Sequence, residues 1–238
     1  MKTLFLASSL TALAMAAPAM ADDWSYSGET GPDNWGGVCT TGVEQSPIDI
    51  ANAIPSEVAV PTVDWSGATS VGLVNNGHTL QVNFSGDGHM HLNGTQYSLL
   101  QLHFHSPSEH TVTGENFPLE VHFVHASEDG ALAVIGVFFE EGEANAALTP
   151  IWGAAPAEAG EVAYDMAVDF DAMMPTASTA YRYAGSLTTP PCSEIVAWTV
   201  MDQPVTASAE QIETFVSLFG NNARPTLPVN RRYVLTAE

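Results

Sequence analysis

The sequence predicts a mainly β protein, and three observations carry that expectation. Short runs of alternating or β-branched residues recur at 58–60, 71–74, 79–84, 97–105, 119–125 and 132–139. Turn formers separate them, as in Asn75-Asn76-Gly77 and Ser85-Gly86-Asp87-Gly88. Segments with helical periodicity are few. Strands at this density, joined by turns, argue for an antiparallel-dominated sheet with a few short peripheral helices. There is no repeat, linker or low-complexity segment, so a single domain is expected.

The elements follow in order. Met1-Lys2, an apolar run over 4–17 and Ala19-Met20-Ala21 form a charged start, a hydrophobic stretch and an A-x-A cleavage site. Residues 1–21 therefore read as a signal peptide, and the mature domain as 22–238. A buried or membrane helix is the competing reading, but the run is too short to span and no stop-transfer pattern follows. Residues 22–40 are rich in Trp, Gly and Asp and read as irregular. The six strands come next, then a weak short helix over 145–154. A stronger helix covers 208–219: Ser208 and Gln211 fit a capping box, and Ile212, Phe215, Val216 and Phe219 share one stripe. Gly220 would end it.

The formal net charge is −22. The only lysine, Lys2, lies in the expected signal peptide, and the arginines are Arg182, Arg224, Arg231 and Arg232. This balance excludes nucleic acid and anionic membrane as partners. A solvated acidic shell and adaptation to salt both fit it. The two cysteines, Cys39 and Cys192, would meet an oxidising compartment after export, where one disulfide is expected rather than two buried thiols. The expected location is periplasmic or secreted.

Three histidines carry the chemistry. His103 and His105 flank Phe104, so their side chains leave one face of a strand. His122 sits in the next apolar run, and a hairpin bearing Ser106, Pro107, Ser108 and Gly114 can bring it alongside. Three neutral imidazoles with no cysteine nearby suit a catalytic zinc ion whose fourth ligand is water. By the same period-two argument Gln101 shares a face with His103 and His105, and Glu120 with His122. Each can accept a ring N–H from a ligand and fix its tautomer. Val124, Val134, Val196 and Trp198 read either as ordinary core or as an apolar wall beside the metal. A second H-x-H, His89 and His91, has no third partner in the pattern.

With these residues placed, the chain resembles the α-class carbonic anhydrases of the exported bacterial kind. The motifs run in order through Trp24-Ser25-Tyr26, Gly31-Pro32-Asp33-Asn34-Trp35, Gln45-Ser46-Pro47-Ile48-Asp49-Ile50, Asn75-Asn76-Gly77-His78 and Gln101-Leu102-His103-Phe104-His105. They continue through Ser108-Glu109-His110, Glu120-Val121-His122, Ser186-Leu187-Thr188-Thr189-Pro190-Pro191-Cys192 and Asn222-Ala223-Arg224-Pro225. The resemblance covers essentially the whole mature chain. It implies a central twisted sheet of about ten strands and a zinc enzyme that reversibly hydrates carbon dioxide to bicarbonate and a proton, by attack of a zinc-bound hydroxide.

The resemblance also implies roles. His103, His105 and His122 hold Zn2+, with Gln101, Glu120 and Asn222 behind them. Glu109 accepts the Thr188 hydroxyl proton, so that Thr188 orients the nucleophile. Leu187 and Thr189 flank the substrate beside the apolar wall. His78 carries the proton out, and Tyr26 and Asn76 order the water between. His110 and His125 are structural, and Ser46-Pro47 and Pro190-Pro191 are cis. Monomer and homodimer are both compatible with the sequence. Two other classes compete with a zinc lyase. A catalytically silent binding module would lack one of the three histidines. A zinc-storing protein would carry them on exposed tracts rather than in apolar strands.

Overall fold

The computed structural model describes residues 24–176 and 179–238; the expected signal peptide over 1–21 lies outside the described residues. A 13-stranded mixed sheet dominates them. Its main path has ten strands in the order Gly160–Val162, Ala68–Asn75, Leu80–Gly86, Thr95–His105, Leu119–Ala126, Leu132–Glu141, Val196–Met201, Ala180–Gly185, Leu235–Ala237 and Ile54–Pro55. Neighbours are antiparallel except Leu132–Glu141 with Val196–Met201 and Leu235–Ala237 with Ile54–Pro55. The expected mainly β fold, with its mostly antiparallel sheet, is therefore the observed one. No helix among the described residues is long and apolar enough to cross a membrane.

The two faces of the central strands do different work, because side chains alternate. Leu102, Phe104, Leu119, Val121, Phe123, Ile135, Val137 and Phe139 point into one large apolar core. The helices Leu148–Ala154 and Ala209–Phe219 close that core through Leu148, Ile151 and Phe215. The interleaved positions Gln101, His103, His105, Glu120 and His122 lie on the opposite face.

One irregularity sets this alternation. Leu99 and Leu102 both enter the core although three residues apart, an odd spacing that a regular strand would send to opposite faces. A β-bulge between Leu99 and Gln101 absorbs Leu100, whose side chain is exposed. Beyond it the pairing is regular: Gln101 faces Val124, His103 faces His122 and His105 faces Glu120.

Two expectations need adjustment. Residues 58–60 form no strand. Ser56 Oγ accepts the Val58 N–H, and Pro61 has none to offer, so the segment cannot sustain a ladder. Strands form on either side instead, at Ile54–Pro55 and Thr62–Asp64. The helix expected over 145–154 begins only at Leu148, because Asn145 Oδ1 accepts the Ala147 N–H in a local turn. The helix Ala209–Phe219 has the expected Ser208–Gln211 capping box and ends at Gly220, with φ 63°. Ser46-Pro47 and Pro190-Pro191 are cis, and so is Ser106-Pro107. Cys39 and Cys192 form the expected disulfide, which spans 153 residues.

His125 belongs to the core. Its Nε2 accepts from Trp65 Nε1 at 3.0 Å and its Nδ1 donates to the Phe123 carbonyl at 3.0 Å. Burial pushes its pKa from 6.5 down to about 4, so the folded state keeps the ring neutral. The unfolded chain binds the proton first as pH falls below 6.5. Stability is thus full above pH 6.5 and falls toward pH 4, by about 3 kcal/mol in all. Replacing His125 by Gln, which can still accept from Trp65, should flatten this part of the acid dependence. Urea midpoints at pH 7 and pH 4.5 measure it; the same drop in both proteins would show that other groups set the slope.

Candidate metal and active site

The site grows from the antiparallel pair Thr95–His105 and Leu119–Ala126. Their register sets His103 opposite His122, so three imidazoles converge: the ring centroids of His103, His105 and His122 lie 4.7–5.2 Å apart. One ligand atom from each lies within 4.8 Å of the others. His105 and His122 are buried, while His103 is half-buried and faces the accessible side.

Each ring is held by one nitrogen. His103 Nδ1 donates to Gln101 Oε1 at 2.8 Å, and His105 Nδ1 to the Asn222 carbonyl at 2.9 Å. His122 Nε2 lies 3.0 Å from Glu120 Oε1, in contact but off the line of a well-directed hydrogen bond. The remaining nitrogens are His103 Nε2, His105 Nε2 and His122 Nδ1. His105 Nε2 is buried without a hydrogen-bond partner. Burial, then the neighbouring imidazoles, hold His103 well below the usual histidine range. Burial likewise lowers His105, partly offset by Glu109. Burial alone would lower His122 too, but Glu120 more than reverses this. Burial thus favours the neutral form of His103 and His105, and Glu120 favours the proton on His122 that a metal would displace. Three clustered imidazoles with an orphaned buried nitrogen form a donor set suited to zinc.

His110, Glu120 and His122 also bring ligand atoms within 4.8 Å. These atoms are already committed. Glu120 Oε2 accepts from Glu109 N at 2.8 Å and His110 N at 3.0 Å, and Oε1 accepts from His110 Nδ1 at 2.8 Å. Burial would raise the Glu120 pKa; His110 and His122 outweigh it and hold the carboxyl well below its usual range. His110 Nε2 meets the Tyr183 hydroxyl at 2.6 Å, and Tyr183 donates to Ser46 Oγ at 2.9 Å.

Other expected site residues gather here. Val124, Val134, Val196 and Trp198 form one apolar cluster on the histidine face, with Leu187 packed against it. Thr188 is buried in the loop before Cys192, and Cys192 N donates to the Thr189 carbonyl at 2.9 Å. The disulfide therefore anchors this loop. His78 stacks on Trp24 with centroids 3.8 Å apart and meets Tyr26 edge-on at 6.3 Å. Burial and the Glu109 carboxylate raise the Tyr26 phenol above its ordinary value, so it remains a donor at neutral pH.

One expected contact differs. The Thr188–Glu109 hydrogen bond is not formed. Glu109 Oε1 accepts from Arg224 N at 3.0 Å, and Oε2 has no hydrogen-bond partner. That oxygen lies 3.4 Å from His105 Nε2 and 3.9 Å from His122 Nδ1, drawn toward the imidazoles rather than the 188 loop. Asn76 Oδ1 accepts from the His78 and Thr79 N–H groups, each at 2.9 Å, which fixes the turn that carries His78.

Sequence reasoning missed Gly136 and the Ser46–Tyr183–His110 chain. Gly136 lies opposite His122. A Cβ there would stand 2.9 Å from Glu120 Oε1 and 3.7 Å from His122 Cδ2. An isolated glycine inside an apolar strand is a signal for such close approach. Nothing in the sequence signals the pairing of Ser46 with Tyr183. Asn222 is more central than expected: its side chain also accepts from Ser106 N at 2.7 Å and donates to the His78 carbonyl at 2.9 Å.

Gly136→Ala tests this packing. Glu120 is fixed by its donors and cannot yield cheaply, so about 1–3 kcal/mol of stability should be lost. Zinc should be held roughly 10–100-fold less tightly, as when the partner of a ligand is disturbed. Denaturation and competition with a chelator measure the two effects. Unchanged zinc affinity would mean that Glu120 moves aside freely.

Comparison with known proteins gives the family. The eukaryotic-type carbonic anhydrase family model matches residues 30–238. A carbonic anhydrase of Pectobacterium atrosepticum is 41% identical over 236 residues, covering 95% of this chain and 96% of its own. The α-carbonic anhydrase of Photobacterium profundum superposes with a TM-score of 0.85 at 42% identity, covering 90% of this chain and 100% of that one. That of Thermovibrio ammonificans, solved with the inhibitor sulfanilamide, gives 0.87 at 42% identity over 91% and 100% of the two chains. From family match, relatives and fold together, this chain belongs to the α-class carbonic anhydrase family.

Proposed function

We propose that the protein is an exported zinc enzyme that reversibly converts carbon dioxide and water to bicarbonate and a proton. One observation carries the reading: three imidazoles, each with one nitrogen against a strand or loop partner, bring ligand atoms within 4.8 Å of one another beside an apolar wall. His103, His105 and His122 would hold the ion. When bound, zinc supplies Lewis acidity that makes a nucleophile from water at neutral pH.

The chain's own groups do the rest. Gln101, the Asn222 carbonyl and Glu120 fix the ring tautomers and keep the inward lone pairs free. Thr188 would donate a hydrogen bond to Glu109 Oε2, once that oxygen turns from the imidazoles it now approaches, leaving the Thr188 oxygen to accept a hydrogen bond from the nucleophile and so aim it. Val124, Val134, Val196, Trp198, Leu187 and Thr189 would hold carbon dioxide, an apolar substrate needing few polar contacts. His78 would accept the released proton and pass it to buffer, imidazole being the side-chain type suited to proton transfer at neutral pH. Tyr26 remains a hydrogen-bond donor along that route. The presence of all three histidines argues against a silent binding module, and their burial argues against zinc storage.

His122→Ala should lower zinc content and abolish hydration measured by stopped flow; full activity would remove His122 from the ligand set. His78→Ala should slow steady-state turnover yet spare carbon dioxide–bicarbonate exchange at chemical equilibrium, since only proton export is affected. Imidazole buffer should restore part of the rate. Equal loss of both activities without rescue would make His78 structural.

A further inference from the structure

The second H-x-H pair lies on a separate part of the sheet. His89–Leu92 is the middle strand of a small antiparallel three-strand patch, between Thr62–Asp64 and the start of Thr95–His105. Met90 and Leu92 turn into the core, so His89 and His91 turn to solvent. Asp64 faces His89 across one strand pair, and Gln96 faces His91 across the other. His91, Asp64, Thr62, Gln96 and Ser98 are exposed, so polar side chains surround the two rings and leave them open to solvent.

The rings are arranged for chelation. Their centroids are 5.2 Å apart and nearly perpendicular, at 85°. His89 Nδ1 lies 2.7 Å from the Asp87 carbonyl and, as the donor to it, leaves Nε2 with a free lone pair. A carbonyl behind one nitrogen orients a histidine toward metal on the other. Asp64 adds negative charge: hydrogen bonds from the Ser66 hydroxyl and amide, with a smaller effect of His89, lower its pKa. The net charge of −22 raises the local concentration of cations around the whole surface.

We propose that His89 and His91 chelate one divalent transition-metal ion at the protein surface, separate from the catalytic centre. The side chains sit opposite Ser98 and Gln96, five to seven residues before His103 along the same strand, roughly 15–25 Å away. Two imidazoles with water completing the shell bind Cu2+ most tightly among the first-row divalent ions, with Zn2+ and Ni2+ behind it. Asp64 strengthens the site by charge rather than as a ligand; as the side chains stand, its oxygens do not complete a three-donor cluster with the two rings.

Calorimetric titration of the zinc-loaded protein with Cu2+, with released zinc assayed in parallel, tests this. The expected result is one copper bound beyond the resident zinc and no zinc released by that equivalent. His89→Ala and His91→Ala should each weaken copper by about tenfold or more, since losing a ligand costs at least what losing a ligand's own support costs. The double variant should be little worse than either, because one remaining imidazole cannot chelate. Both side chains are solvent-facing, and His→Gln variants at the same positions should give the same losses. The electron paramagnetic resonance spectrum of bound Cu2+ should lose its two-nitrogen splitting in each variant. No added copper in the wild type, unchanged affinity in the single variants, or single losses that simply add in the double variant would each overturn the chelate.

Discussion

Glu120 is a fully buried carboxylate, and much of the site is arranged around its charge. An ionised carboxylate cannot remain in the interior unless donors satisfy it. Its partners come from two places: the His122 ring, two residues on in the same strand and 3.0 Å away, and the Glu109 and His110 amides with the His110 ring from the loop after His105. The loop therefore takes its conformation from the same charge that orients a ligand. Removing Glu120 would leave those donors buried and unpaired, a cost that for a broken buried pair is about 3–5 kcal/mol. Stability and ligand geometry are joined at this residue.

The loops above the sheet are tied in the same way, by a few polar groups with several partners each. Arg224 is buried. Its guanidinium donates to Gln45 Oε1, the Ser46 carbonyl and the Cys39 carbonyl and lies 5.3 Å over the Trp35 ring, while its amide reaches Glu109. Gln45 Nε2 in turn donates to the Cys192 carbonyl. The N-terminal aromatic segment, the disulfide, the 188–192 loop and Glu109 thus form one connected frame. Asn222 does the same for His78, Phe104, His105 and Ser106. The covalent link and these hydrogen bonds restrain the same loops, so the site is set on rigid strands and roofed by restrained ones.

The readable parts of the sequence were those governed by local rules. Period-two alternation placed Gln101, His103 and His105 on one face, and Glu120 and His122 on one face, before any long-range contact was known. The capping box at Ser208 was readable because four residues contain the whole device. What could not be read depends on partners distant in the chain. Tyr183 reaches Ser46 across 137 residues, and no local pattern encodes that pairing. The Thr188–Glu109 contact fails for a related reason: the carboxylate had nearer imidazoles to approach. Segment 58–60 shows the competing effect at short range, where a serine hydroxyl and a proline took away the hydrogen bonds that its β-branched residues would otherwise have used.

The bulge at Leu100 has a consequence for how this chain can tolerate change in length. Upstream of it, an added or lost residue can be taken up by turns, or by sliding the bulge itself. From Gln101 to His105 there is no such slack, because a slip of one position exchanges the faces of the strand. Such a slip would send Leu102 and Phe104 toward the ligand side and turn His103 and His105 into the apolar core. An added residue is therefore accommodated in the Asn93-Gly94 turn or at the bulge itself, whereas the residue count between the bulge and the ligands is fixed. The bulge acts as a phase marker for the strand: it separates the parity that carries Leu99 into the core from the parity that carries the ligands to the opposite face.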